Sequence, residues 1–176
     1  MDAEIKEFIE KHIDLIDHGE FEELYRKLED RSEVMALTET LLSADIDPAR
    51  YMKEIPERYL QASTIRSYTI PNNVVTIGED AFAFCSGITS IVIPEGVTLI
   101  HDRTFQNCTN LTQITLPSSV IQISSEAFLG CFDLKSINYL GTKKQWEKIK
   151  KEFNWKKGTF LREIKCTDGI IKFPEA

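Results

Sequence analysis

Apolar residues in the middle of this chain recur on a fixed beat. Ile70-Pro71-Asn72-Asn73-Val74 returns 23 residues later as Ile93-Pro94-Glu95-Gly96-Val97, and after another 23 as Leu116-Pro117-Ser118-Ser119-Val120. Val74/Val97/Val120, Ile77/Ile100/Ile123, Phe82/Phe105/Phe128, Cys85/Cys108/Cys131 and Ile91/Ile114/Ile137 all keep time without insertion. One such unit cannot bury its own apolar side, so the units must stack into a solenoid. Within each unit the pattern predicts a strand at 68–70, 91–93, 114–116 and 137–139. Alternation points Ile91 and Ile93 inward and Ser90 and Val92 outward. The Ala-Phe-x-x-Cys segment, Ala81 to Cys85 and its copies, reads as a single helical turn seating Phe and Cys in the core.

The flanks carry a different rhythm. Ile5, Phe8, Ile9, Ile13 and Ile16 fall at helical spacing, and further helices are expected at about 20–30 and 33–43. Asp47-Pro48 reads as an N-cap followed by proline in the first helical position, opening a helix through Tyr51 and Met52. Residues 55–69 form a degenerate half-unit that places Tyr59 under Phe82 and Ala62 under Cys85. After Tyr139, Thr142 and Gln145 form a capping-box pair that predicts a helix over 143–153. Trp146 falls 23 residues after Ile123 and is expected to continue that column. A Thr167-Asp168-Gly169 turn predicts a hairpin between 162–166 and 170–173.

The expected organisation is thus an acidic helical cap at 1–54, repeats over 55–140 with full units starting near 70, 93 and 116, and a C-terminal cap at 141–176. The fold class is an α+β solenoid: a short repeat array with a parallel β ladder, capped by an N-terminal helical bundle and by a C-terminal helix plus β-hairpin.

The pattern Ile-Pro-x-x-Val-x-x-Ile-x-x-x-Ala-Phe-x-x-Cys-x-x-Leu-x-x-Ile over residues 65–139 resembles the BspA-like (treponemal) leucine-rich-repeat family, with Thr104 replacing Ala in the second copy. The run from Ile137 to Trp146 is similar to the way many bacterial members end. The resemblance implies a curved solenoid used for protein contacts, in a family with many secreted surface adhesins.

Composition sharpens this picture in three ways. The net charge of −7 hides a gradient: residues 1–60 hold 17 acids and 8 bases, residues 61–140 hold 6 and 3, and residues 141–176 hold 5 and 10. An acidic start and a basic end give the molecule a dipole that can steer an encounter. Met1 to Lys6 lack the basic start and apolar block of a signal peptide, so the expected location is cytoplasmic. The repeat cysteines share their period with core residues, which favours buried free thiols over zinc-type ligand spacing.

No phosphate loop or nucleophile elbow is present, and His12, His18 and His101 are isolated. Glu79-Asp80 is a carboxylate pair, but its position in a repeat turn reads as solvated surface. Asn107-Cys108-Thr109 and Asn110-Leu111-Thr112 match a glycosylation pattern imposed by repeat polar positions. The expectation is therefore no enzyme, no cofactor and no metal. A monomer with a protein partner, and with neither nucleic acid nor membrane, is expected instead.

Two surfaces are candidates for that partner. One is the outward strand row, Ser67, Thr69, Ser90, Val92, Gln113, Thr115, Ser136 and Asn138. The other is the acidic head, represented by Glu7, Glu10, Asp14 and Asp17. The basic tail (Lys143, Lys144, Lys148, Lys150, Lys151, Lys156, Lys157) is interleaved with Trp146, Phe153 and Trp155 and raises nucleic acid, but the tryptophans suit a cap core. An alternative function is an acidic intracellular inhibitor of a nucleic-acid-handling enzyme, of the phage anti-CRISPR sort, for which the head's carboxylates would mimic phosphates.

Overall fold

The computed structural model describes Val34, Thr38, Glu39, Leu41, Leu42 and residues 47–173. The expected helical bundle therefore lies largely outside the described residues. Val34, Thr38, Glu39, Leu41 and Leu42 are helical, and Val34 and Leu41 pack into the same core as the first repeat coil.

From there the chain winds as a β-solenoid. The strands are β1 Glu54–Ile55, β2 Thr76–Ile77, β3 Ser90–Val92, β4 Leu99–Ile100, β5 Gln113–Leu116, β6 Gln122–Ile123 and β7 Ser136–Tyr139. After these come α1 Lys143–Lys148, β8 Lys150–Lys151, β9 Glu163–Cys166 and β10 Gly169–Lys172. One side of the solenoid is a five-stranded sheet in the order β10-β9-β7-β5-β3, parallel except for the β9–β10 hairpin. A second side holds β4-β6-β8, with β1-β2 as a separate pair. The 23-residue period appears directly in the register, Ile91 opposite Ile114 and Ile114 opposite Ile137. Tyr68 to Ile70 alternates as expected, Tyr68 and Ile70 buried and Thr69 exposed, but forms no ladder strand.

The third side differs from expectation. Ala81 to Cys85 and its copies are not a helical turn, because the N–H groups of alternate residues leave the coil while those between them, such as Ala83 to Asp80 C=O at 2.9 Å, close tight turns within it. The N–H groups of Phe82, Phe105 and Phe128 donate to the carbonyls of Thr104, Ala127 and Trp155, at 2.9, 2.9 and 2.8 Å. Alternate residues repeat the pattern, as in Phe84 to Gln106 and Asn107 to Leu129, both 2.7 Å. Reaching this arrangement takes two left-handed residues per coil, four positions apart. These are Asp80 and Phe84, Arg103 and Asn107, Glu126 and Gly130, then Asn154 and Gly158. A helix would satisfy its polar backbone along itself; here every second N–H satisfies the neighbouring coil instead.

Inside, the aromatic column is continuous. Phe82 and Phe105 stack at 5.4 Å with planes 5° apart, and Phe105 and Phe128 at 5.6 Å and 3°. Tyr68 extends the column at one end and Trp155 at the other. Behind it the thiols of Cys85, Cys108 and Cys131 are free and buried, and donate to the carbonyls of Leu60, Phe82 and Phe105 at 2.8, 3.0 and 2.9 Å. The thiol and backbone bonds put Leu60, not Tyr59, in the place that Phe82 takes one coil later. The first coil is therefore one residue shorter than the 23-residue count implies. Tyr59 is buried instead as a partner of Asp47, whose Oδ1 accepts from Ala49 N–H, Tyr59 OH and Tyr68 OH at 3.1, 3.0 and 3.1 Å. Asp47 thus caps the 3-10 turn Pro48–Tyr51 and ties it to the first coil.

The C-terminal cap needs two corrections. The capping box forms, with Thr142 N–H donating to Gln145 Oε1 at 2.8 Å and Gln145 N–H to Thr142 Oγ1 at 3.3 Å. But α1 ends at Lys148 rather than Phe153, because the chain returns to the ladder as β8. Consequently Trp146 does not continue the isoleucine column; Lys151 pairs with Ile123. Trp146 is buried beside it, packing its ring against Tyr139 at 5.4 Å and Trp155 at 6.2 Å. The expected hairpin is present as β9–β10 and covers the outer edge of β7 through parallel pairing.

Candidate interaction face

The outward positions of the five-stranded sheet form two rows fixed by register. One row runs Ser90, Gln113, Ser136, Glu163 and Lys172. The other runs Val92, Thr115, Asn138, Lys165 and Ile170. Their inward neighbours Ile91, Ile114, Ile137 and Ile164 are buried, so the rows cannot rotate without dragging the core out. Across β3, β5 and β7 the face carries no charge. Ser90, Val92 and Gln113 are exposed, while Thr115, Ser136 and Asn138 are half-buried. Val92 keeps 57% of its surface in water. Ser67 and Thr69 are exposed as well but stand outside the hydrogen-bonded ladder. The other candidates, Glu7, Glu10, Asp14 and Asp17, lie outside the described residues, as do His12 and His18.

Sequence reading missed the contribution of β9 and β10 to this face. The signal was available: Glu163-Ile164-Lys165-Cys166 alternates as Ser136-Ile137-Asn138-Tyr139 does, and Ile164 pairs with Ile137. Glu163 and Lys165 are two apart on one strand, with Lys165 Nζ 3.3 Å from Glu163 Oε1.

The remaining chemistry is structural. Of the Glu79-Asp80 pair, Asp80 is buried rather than solvated, while Glu79 stays half-exposed. Arg103 of the next coil holds Asp80 with two bonds, Nε to Oδ1 at 3.2 Å and Nη2 to Oδ2 at 3.3 Å, and reaches Glu79 at 3.4 Å. The bond to Asp80 raises the Arg103 pKa further, against a lesser effect of burial. One coil on, Asp102 Oδ1 accepts from Ser125 N–H at 3.0 Å. Asn110 of the second glycosylation pattern donates to Ser86 C=O at 2.6 Å, a bond that ties coils together. Burial pushes the Cys85 thiol up to about 12, and Cys108 is raised by the neighbouring Cys131 thiol and then by burial. Such thiols are poor nucleophiles. Among the described residues no three His, Cys, Asp or Glu side chains are placed to hold a metal ion, and no helix is long and apolar enough to cross a membrane.

A register-locked solenoid whose polar side chains join neighbouring coils is the architecture of a repeat protein. Comparison with known sequences identifies which: the description "BspA type Leucine rich repeat region" matches residues 50–175 as six copies. The chain belongs to this leucine-rich-repeat family. No curated protein matches it. Among solved structures it is similar to a leucine rich cell surface protein from Faecalibacterium prausnitzii A2-165, at 31% identity and a TM-score of 0.48. That match covers 57% of this chain and 33% of the other, so the chain spans about a third of that protein's length.

Proposed function

We propose that the protein is a non-catalytic binding module that engages a protein partner through the outward face of β3, β5 and β7. The observation that carries this reading is the uncharged row from Ser90 and Val92 across to Asn138, open to solvent on strands whose other side is core. Repeat arrays that stack into solenoids present extended surfaces that partners use. Family membership supports the general class. No observation among the described residues favours the alternative of an acidic enzyme inhibitor.

The test is affinity capture from the native host with paired variants. One places Arg at Ser90, Val92, Gln113 and Thr115; the other reverses Glu7, Glu10, Asp14 and Asp17 to Lys. Proteins retained by the wild type and by the head variant but lost by the strand variant support the face. Loss confined to the head variant would move the binding site to the N-terminal segment and sink this proposal.

A further inference from the structure

The two rows do not end where the uncharged strands do. Beyond β7 they pass onto the hairpin, where the outward residues become Glu163, Lys165, Ile170 and Lys172. Lys165, Ile170 and Lys172 are exposed. Two lysines against one glutamate leave this end of the face positive. The row through Val92 also has an apolar residue at each end, Val92 at 57% and Ile170 at 51% exposure, with Thr115, Asn138 and Lys165 between. Four strand-to-strand steps separate them, about 19 Å at the usual spacing of about 4.8 Å.

We infer that the face takes an extended acidic protein segment lying across the strands, with an apolar side chain at each end and its carboxylates over Lys165 and Lys172. An extended chain advances about 3.3 Å per residue, so apolar residues about six positions apart would meet Val92 and Ile170 together. Lys165 and Lys172 flank Glu163 in the pairing, so carboxylates on the segment would compete with Glu163 for the ammonium groups. Charge on the hairpin selects the partner's sign, while the uncharged strands tolerate variety in the middle. Nucleic acid fits less well. Sequence-tolerant binding of single strands relies on aromatic faces for bases to stack on, and neither row contains an aromatic residue. Trp146 is buried and Trp155 is packed between Trp146 and Phe128.

This inference rests on the strand-face reading and is tested separately from it. The probe is a random 12-residue peptide library displayed against the full chain, followed by synthesis of enriched peptides and affinity measurement. Enriched sequences should carry Asp or Glu beside one member of an apolar pair five to seven positions apart. Lys165→Glu with Lys172→Glu should weaken them about tenfold or more, and Glu163→Gln, which frees Lys165, should tighten them by about threefold. A twelve-residue oligothymidylate serves as the polyanion control and should bind at least tenfold more weakly. Peptides that bind the lysine-reversal variant as well as wild type, yet fail on the Ser90/Val92/Gln113/Thr115 arginine variant, would overturn the charge selection and leave the strand face standing. Peptides indifferent to both variants would overturn both. An equal or tighter oligothymidylate complex, or no enrichment at all, would overturn the acidic-segment proposal.

Discussion

Lys151 occupies the position where every earlier coil has an isoleucine, directly opposite Ile123 in the ladder. Its stem continues the column while its Nζ donates to the carbonyls of Trp146 and Ile149, at 2.7 and 2.8 Å, and lies 4.9 Å from the centre of the Trp146 ring. Partial burial lowers its pKa. The ammonium thereby satisfies carbonyls at the end of α1. Replacing Lys151 with Met keeps the stem and removes the donor. A loss of about 1–3 kcal/mol is expected from two charge-assisted bonds and the ring contact. Urea unfolding of Lys151→Met checks this; unchanged stability would mean that the carbonyls find water instead.

Phe105 is the middle ring of the stacked column and is buried. Phe105→Ala should cost about 3–5 kcal/mol, since the flanking rings are held by their own coils and cannot collapse into the gap. Phe132→Ala is the contrast. That ring is 51% exposed, and its removal should change stability by less than about 1 kcal/mol. Equal effects at the two sites would refute the column as the centre of the core.

Phe84 holds a φ of 62° where the following coils use Asn107, Gly130 and Gly158. A bulky L-residue in the left-handed region is strained by roughly 1–2 kcal/mol. Phe84→Gly should therefore stabilise the fold by up to about 1 kcal/mol, the gain being reduced by glycine's greater freedom when unfolded. Gly130→Ala should do the reverse, because its Cβ would fall on the side-chain oxygen of Asn107. Thermal and urea midpoints of the pair test the assignment of these turns.

The thiols give a pH dependence with a definite sign. Cys85 ionises near its ordinary value when unfolded, with a reference of 9.0, and only near about 12 when folded. Between those values the folded chain holds a proton that the unfolded chain has released, so stability falls as pH rises. This thiol adds a slope of at most about 1.4 kcal/mol per pH unit. Cys108, also raised, acts in the same direction. Lys151, with its lowered pKa, acts in the opposite sense below its reference of 10.5. A Cys85→Ala, Cys108→Ala variant should thus lose stability less steeply than wild type from pH 9 to pH 10.5. Parallel curves would show that burial does not hold these protons.

The repeats were legible because a strict period marks apolar positions more plainly than any local propensity. What was misread has particular causes. Trp146 sits 23 residues after Ile123 and looks like the next core residue, yet α1 lengthens the last coil, and the ladder partner is a lysine 28 positions on. An aromatic at the expected spacing outweighed a charged residue at the true one. The Ala-Phe-x-x-Cys turn was read as helix because its apolar spacing suits one. The contrary signal was Asn107, Gly130 and Gly158 at equivalent places, residue types that favour positive φ. Asp80 read as solvated because its partner, Arg103, comes from the next coil, and pairing across a period cannot be seen within one unit. The helices expected around Ile5 to Ile16 and at about 20–30 lie outside the described residues, whereas Val34, Thr38, Glu39, Leu41 and Leu42 of the one expected at about 33–43 are helical.

The bond from Phe82 N–H to Thr104 C=O spans the same number of residues as that from Phe105 to Ala127. Each central coil therefore meets its neighbours through identical joints, and one can be added or removed without altering the fit of either end. Duplicating residues 93–115 would lengthen the molecule by a single strand spacing and carry Ile170 about 4.8 Å farther from Val92. The solenoid is in this sense an adjustable ruler. Coil number sets the distance between its two end marks, and selection could tune the length of segment it measures while leaving every packed contact as it is.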